Sequence, residues 1–559
     1  MLIPRVKEER ILEGTVLFPK TLKVFDPTED AKRFMDALRI IFPEKTIEAA
    51  PKGEALMIRE DLPQGSAEEY ALCVDRVVTV SAKDHAGAVH AAVTLKQLVT
   101  GSGIPRCEIR DRPDSAMRCV MVDAIYAYTA PGDLKKLILR AALAKYSHVN
   151  LHLMDTHGLA YRSEVLPEIP REGGPQYTLD ELRDIRDYCE TLGMVCFGSL
   201  DFPNHGTLLL KLFPELGCDC PDGKRSARDW SLCLNNDKVF DMIKKLVVEL
   251  DSVLPCDFVH LCGDEPSFAD LKPPMLNEWS GCRRCRGLGE NDSDRFCAFV
   301  RRILDEILRP MGKKIMIYND AIDISRPVDL PREDVLIAFW RIALPGRGPV
   351  EGCSMEEFLK AGFEVLNLNY VDCYFDLPYG RNEASLSLWN PKQLAPADST
   401  AHKHLIEEHP EKLSGIPFAS GETAKRVLGG EMDLWAYGSG FYADHYEYTL
   451  PGAFFLFGDR LWNDAALPMD ETTYRALGRA VLGEDSEIFN VFGEALIPVP
   501  ALIDDGQALT ATLKPSLPNS DPERYRDIIR QLERISDSYG PEADAARAYL
   551  RLIGEALES

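Results

Sequence analysis

Asp264 and Glu265 are neighbours, and they close an apolar run, Phe258-Val259-His260-Leu261, within the stretch HLCGDEPSF. Such a run reads as a strand. Adjacent residues on a regular strand face opposite sides. At a strand's end, where twist increases, both carboxylates reach one cavity at different depths. Cleavage of a glycosidic bond calls for such groups: an acid on the leaving oxygen and an agent that stabilises an oxocarbenium-like centre. If that agent is the substrate's own 2-acetamido oxygen, no carboxylate nucleophile is needed. One carboxylate then orients the acetamide N–H beside the acid.

Other apolar runs also finish on polar or aromatic residues. From Arg118 onward eight short apolar runs can be drawn, beginning with RCVMVDAIY and HVNLHLMD and ending with VLGGEMDLWAY. Helical stretches such as DLKKLILRAALAKY, LDELRDIRDYCETLG and DKVFDMIKKLVVELDS separate most of them. Alternating strands and helices with nearly continuous apolar strands indicate a parallel sheet buried on both faces, and eight units indicate a (β/α)8 barrel. Active sites in that architecture lie at the C-terminal strand ends. The residues expected there are Asp123 and Tyr126, Asp155 and His157, Asp201 and His205, Asp264 and Glu265, Asn319 and Asp320, Trp340 and Arg341, Tyr370, Tyr374 and Asp376, and Trp435 and Tyr437. Aromatic faces stack on the apolar face of a pyranose and carboxylates accept its hydroxyl hydrogens. Each residue alone has a plainer role, an Asp as a helix N-cap or a Trp as core packing. Their convergence favours a carbohydrate pocket.

The expected organisation is an α/β accessory domain over residues 1–112, the barrel over 113–466 and a helical region over 467–559. RDRPDS, rich in Pro and Asp, suits the first boundary. The chain has 559 residues and a net charge of −25. Phosphate backbones and anionic membranes would repel such a surface, so neither nucleic acid nor membrane is an expected partner. No apolar run is long enough to span a bilayer. The start, MLIPRVKEERILEG, has no signal-peptide pattern, which gives a cytoplasmic expectation. No phosphate-cradling glycine motif is found, and the expected chemistry uses neither cofactor nor catalytic metal. The fifteen cysteines are expected as reduced thiols. Cys218, Cys220, Cys282 and Cys285 are weighed as a zinc set and set behind free thiols. The sequence leaves a homodimer open.

HLCGDE resembles the H-x-G-G-D-E signature of glycoside hydrolase family 20, the β-N-acetylhexosaminidases. RDRPDSAMRCVMVD, KYSHVNLHLMDTHG, SLDFPNHG, YVDCYFDL, LGGEMDLW and DRLWN resemble further motifs of that family, in order, and AGAVHAAVTLKQL resembles its accessory domain. The resemblance implies substrate-assisted, retaining hydrolysis of terminal β-linked N-acetylhexosamine from a small oligosaccharide or glycoconjugate. It implies Glu265 as acid/base, Asp264 as the residue orienting the acetamido group, and Tyr374 as the donor to its oxygen. Asp155 and His205 support the acid/base, Asp376 contacts a sugar hydroxyl, and Trp340 and Trp435 wall the pocket. The family's D-x-x-R is here Asp123-Ala-Ile-Tyr126, and the family's Glu two residues after the last Trp is here Tyr437. Both lost charges serve the C3 and C4 hydroxyls in the family. Charged hydrogen bonds are about twice as strong as neutral ones, so this edge is read differently, with N-acetylgalactosamine the leading expectation. A non-catalytic sugar binder and a glycosidase of other specificity remain as alternatives.

Overall fold

The computed structural model describes residues 2–101, 103–220, 231–266, 278–341, 353–370, 372–374, 389–394, 418–435 and 451–464. Asp376, Tyr437 and the expected helical region from 467 lie outside them.

The first sheet contains β1 (Glu8–Leu17), β2 (Thr21–Phe25), β3 (Thr46–Ala49), β4 (Met57–Asp61), β5 (Tyr70–Val74), β6 (Val78–Ala82) and β7 (Gly103–Asp111), in the order β1-β7-β5-β6-β4-β2-β3. The helix His85–Leu98 packs on it. Its first turn is capped by Asp84, whose carboxylate accepts the Gly87 N–H, satisfying a donor that the helix leaves orphaned.

The barrel strands are β8 (Met117–Asp123), β9 (His148–Asp155), β11 (Val195–Leu200), β12 (Phe258–His260), β13 (Lys314–Tyr318), β14 (Val335–Phe339), β15 (Glu364–Asn367) and β16 (Val427–Leu434), with a two-residue β10 (Gly158–Leu159) paired on β9. They run parallel in chain order, and β16 pairs with β8, which also pairs with β9. The sheet therefore closes into the expected (β/α)8 barrel. Strands β8, β12 and β14 are buried at every position, as a sheet covered on both faces requires.

Buried ions join the two sheets where the chain passes from β7 to β8. Lys145 Nζ donates to Asp111 Oδ2 (2.8 Å) and to the Tyr70 hydroxyl (2.9 Å). Arg118 pairs with Glu68 and also donates to the carbonyls of Ser115 and Lys145. Trp462 donates to the other oxygen of Asp111 (2.9 Å) and lies under Lys145 and Arg118. No described helix is long and apolar enough to cross a membrane.

Candidate active site

The acid pair is positioned by left-handed backbone rather than by a strand. β12 stops at His260, and Cys262, Gly263 and Glu265 have φ of 49°, 82° and 51°. The expected strand is thus shorter than its apolar run, because positive φ cannot continue a ladder. A Cβ on Gly263 would lie 2.8 Å from Phe296, so glycine is required there for space as well as for conformation. Cys262 holds a backbone conformation that glycine adopts freely, at a cost of roughly 1–2 kcal/mol. Strain of this sort is retained where surrounding structure enforces it. Here the Cys262 N–H donates to His260 Nδ1 (3.0 Å) and the Glu265 N–H to Asp320 Oδ2 (2.9 Å). The turn brings both carboxylates to one side: His205 Nε2 is 3.7 Å from Asp264 Oδ2 and 3.6 Å from Glu265 Oε2.

His205, itself at φ 54°, comes from the loop after β11. Its Nδ1–H donates to Asp155 Oδ1 at 2.9 Å. Asp155 also accepts from His152 Nε2 (3.1 Å) and from the Tyr126 hydroxyl (3.1 Å). Burial alone would lower the His205 pKa, yet the carboxylates of Asp155, Asp201 and Asp264 hold it well above 6.5. These carboxylates favour the protonated ring. Burial works against the Asp155 anion, but His205 and His152 keep its pKa well below the usual carboxylate range. Asp155, Asp201 and His205 present ligand atoms within 4.8 Å of one another; the His205–Asp155 ion pair already accounts for that closeness.

Glu265, Asp320 and Asp201 shift upward. Glu265 is raised from 4.5 to about 7, mainly by burial and further by Asp264. Asp320 is raised from 3.8 to about 6 by burial and by Asp264, and Asp201 well above 3.8 by the same two causes. Arg341 Nη1 lies 3.8 Å from both Glu265 Oε1 and Asp320 Oδ2. Asn319 fixes that arginine's backbone, accepting the Trp340 and Arg341 amides (3.0 and 3.1 Å).

An aromatic box stands beside the acids. Trp340 and Tyr374 stack at 6.0 Å and 11°, and Tyr374 meets Trp435 at 5.8 Å and 48°. The box and the acid pair share one support: Asp320 Oδ1 accepts from Trp340 Nε1 (3.0 Å) while Oδ2 holds the Glu265 amide. Tyr374 is set by a bridge to Asp433 of β16. Buried apolar walls with few fixed polar groups are the general form of a small-ligand site.

The expected residues Glu265, Asp264, His205, Asp155, Tyr126, Trp340, Tyr374 and Trp435 are thus brought together. Asp123 is at the same rim, with one oxygen accepting the Ile125 and Tyr126 amides (both 2.9 Å). Arg341, expected at this rim, lies there against Glu265 and Asp320, whereas one further cation, Arg171, is not indicated by the sequence. Its Nε–H donates to the carbonyls of Ala124 and Ile125 (3.1 and 2.8 Å), beneath the loop that carries Tyr126.

A closed parallel barrel whose rim joins an acid pair, a histidine and an aromatic box is an arrangement that suits a carbohydrate-active barrel protein. The family described as "Glycosyl hydrolase family 20, catalytic domain" matches residues 116–462, and "Glycosyl hydrolase family 20, domain 2" matches residues 1–112. The chain belongs to glycosyl hydrolase family 20. It is 25% identical over 351 residues to a beta-hexosaminidase of Akkermansia muciniphila, covering 58% of this chain and 67% of that protein. It is 24% identical over 385 residues to the beta-hexosaminidase subunit alpha of Mus musculus, covering 66% of each. The chain spans about two thirds of the length of these relatives. The crystal structure of beta-N-acetylhexosaminidase from Bacteroides fragilis shares the fold with a TM-score of 0.69 at 18% identity, covering 86% of this chain and 95% of that one. An exo beta-N-acetylglucosaminidase from Vibrio harveyi in complex with N-acetylglucosamine gives 0.68 at 19% identity, covering 86% and 77%.

Proposed function

We propose that the protein is an exo-acting, retaining β-N-acetylhexosaminidase that uses the substrate's 2-acetamido group. The observation that carries this reading is the convergence of Asp264 and Glu265 on one side of His205, next to the Trp340–Tyr374–Trp435 box. In the first step Glu265 gives its proton to the leaving oxygen as the C1–O bond breaks. The acetamido oxygen bonds to C1, forming an oxazolinium. Asp264 accepts the acetamide N–H and so makes that oxygen a better nucleophile, while the Tyr374 hydroxyl donates to it. In the second step Glu265, now ionised, takes a proton from water, whose oxygen opens the ring at C1 with net retention. A pKa of about 7 suits a group that gives and regains one proton near neutrality.

The proposal extends to the sugar edge. Tyr126 stands where the family has arginine, and its hydroxyl proton goes to Asp155. No guanidinium from this position selects an equatorial C4 hydroxyl, which favours terminal β-N-acetylgalactosamine over β-N-acetylglucosamine. Hydrolysis of the paired chromogenic β-glycosides tests both parts. Cleavage of both, fastest for the galacto sugar and lost in Glu265→Gln, is expected. Faster cleavage of the gluco sugar would overturn the preference. Binding of N-acetyl sugars without cleavage would overturn the enzyme reading.

A further inference from the structure

Four cysteines from two separate loops converge where the reaction does not use them. A short antiparallel bridge, Gly217 with Leu232, sets Cys218 beside Cys233, and the Cys233 N–H donates to the Leu216 carbonyl (2.9 Å). The other pair, Cys282 and Cys285, lies on a tight turn closed by the Arg286 N–H on the Cys282 carbonyl (3.1 Å). The pieces are tied together by the Arg283 N–H on the Asp219 carbonyl (2.9 Å), by Asn235 Nδ2 on the Arg284 carbonyl (3.0 Å) and by Trp279 Nε1 on the Leu232 carbonyl (3.2 Å). Cys220, which spacing placed in the set, is not a member; Cys233 takes its place.

The sulfur geometry is that of a single tetrahedral ion. Cys218 and Cys285 are 4.0 Å apart, Cys233 and Cys282 3.9 Å, Cys233 and Cys285 3.5 Å, and all four sulfurs lie within 4.8 Å of one another. A zinc–sulfur bond of about 2.3 Å gives tetrahedron edges of about 3.8 Å. A disulfide would draw two sulfurs to about 2.05 Å, and all the cysteines are free. Ordinary packing of cysteines as small hydrophobes does not aim four sulfurs at one point. Cys218 is 5% exposed and the other three not at all, so the set is closed, with no position for a reacting water.

We propose that Cys218, Cys233, Cys282 and Cys285 hold one structural Zn2+. The ion pins together the loops that carry the acid pair and His205. Leu232 donates through its amide to the Pro203 carbonyl (2.8 Å), and Ser231 through its hydroxyl to Asn204 Oδ1 (2.8 Å). Asn204 Nδ2 in turn holds the Asp264 carbonyl (2.6 Å). On the other side Trp279 stacks on Phe296, the ring that fills the space at Gly263.

The test is metal analysis of the full chain, purified in reductant, incubated with Zn2+ and desalted against a weak chelator. One zinc per chain is expected in the wild type and in Cys220→Ser, and none in the Cys282→Ser/Cys285→Ser double variant. A strong chelator should lower the wild-type Tm, and added Zn2+ should restore it. Wild-type protein without zinc, undiminished zinc in the double variant, or stoichiometric iron in its place would overturn the assignment. The wild-type result stands whether or not the double variant folds.

Discussion

Two regions of this chain bury charge, and they do so in opposite ways. At the junction of the sheets, Arg118 and Lys145 meet Glu68 and Asp111, one cation to each anion, with carbonyls, Tyr70 and Trp462 supplying the remaining hydrogen bonds. At the barrel rim, Asp155, Asp201, Asp264, Glu265 and Asp320 crowd around His205, with His152 on Asp155 and Arg341 near Glu265 and Asp320. The consequence appears in the protons. Burial opposes the Glu68 anion, yet Arg118 and His90 hold its pKa well below 4.5, whereas burial and like charge push Glu265 up to about 7. A balanced buried cluster fixes the two sheets; an unbalanced one keeps a proton ready to move.

Replacing one residue in each cluster should separate these roles. Glu265→Gln removes the proton donor, and kcat should fall by ~10²–10⁴-fold, while Tm holds or rises because a carboxyl leaves a crowded set. Asp264→Asn should also lose most of the rate, and near wild-type activity would contradict substrate assistance. Lys145→Met leaves Asp111 buried without its cation, and denaturant titration should show a loss of about 3–5 kcal/mol, with kcat per folded molecule unchanged.

The pH dependence of stability sharpens the contrast. Glu68, with a lowered folded pKa, stabilises above 4.5 and loses that contribution as pH falls. Glu265, with a raised folded pKa, binds more protons folded than unfolded between 4.5 and about 7, so stability falls as pH rises through that window. Tm should therefore decline from about pH 5 towards 7, and the slope should flatten in Glu265→Gln. The smallest effect is expected from Tyr126→Phe, which removes one hydrogen bond to Asp155. It should cost about 1 kcal/mol in kcat/KM or stability without abolishing activity.

Much of this was legible in the sequence. The barrel strands could be read because a doubly covered parallel sheet needs near-continuous apolar runs. The acid pair, His205, Asp155 and the three box aromatics could be read because strand ends converge once a barrel closes. What escaped depends on backbone detail or distant contact. The early end of β12 follows from left-handed residues, two of them non-glycine. Cys233 has no motif spacing to Cys218 and joins it only through an antiparallel bridge. The raising of the Asp320 and Glu265 pKa values requires knowing which carboxylates face each other across the rim, and Arg171 reaches the Tyr126 loop from a connection with no signature.

The pH profile of kcat/KM, with and without Asp320→Asn, tests most directly whether surplus negative charge keeps the proton on Glu265. The wild type should lose activity on the alkaline side with an apparent pKa near 7, and Asp320→Asn, by removing a neighbouring charge that raises it, should move that limb to lower pH. A profile flat through this region, or one that Asp320→Asn leaves unmoved, would contradict the account.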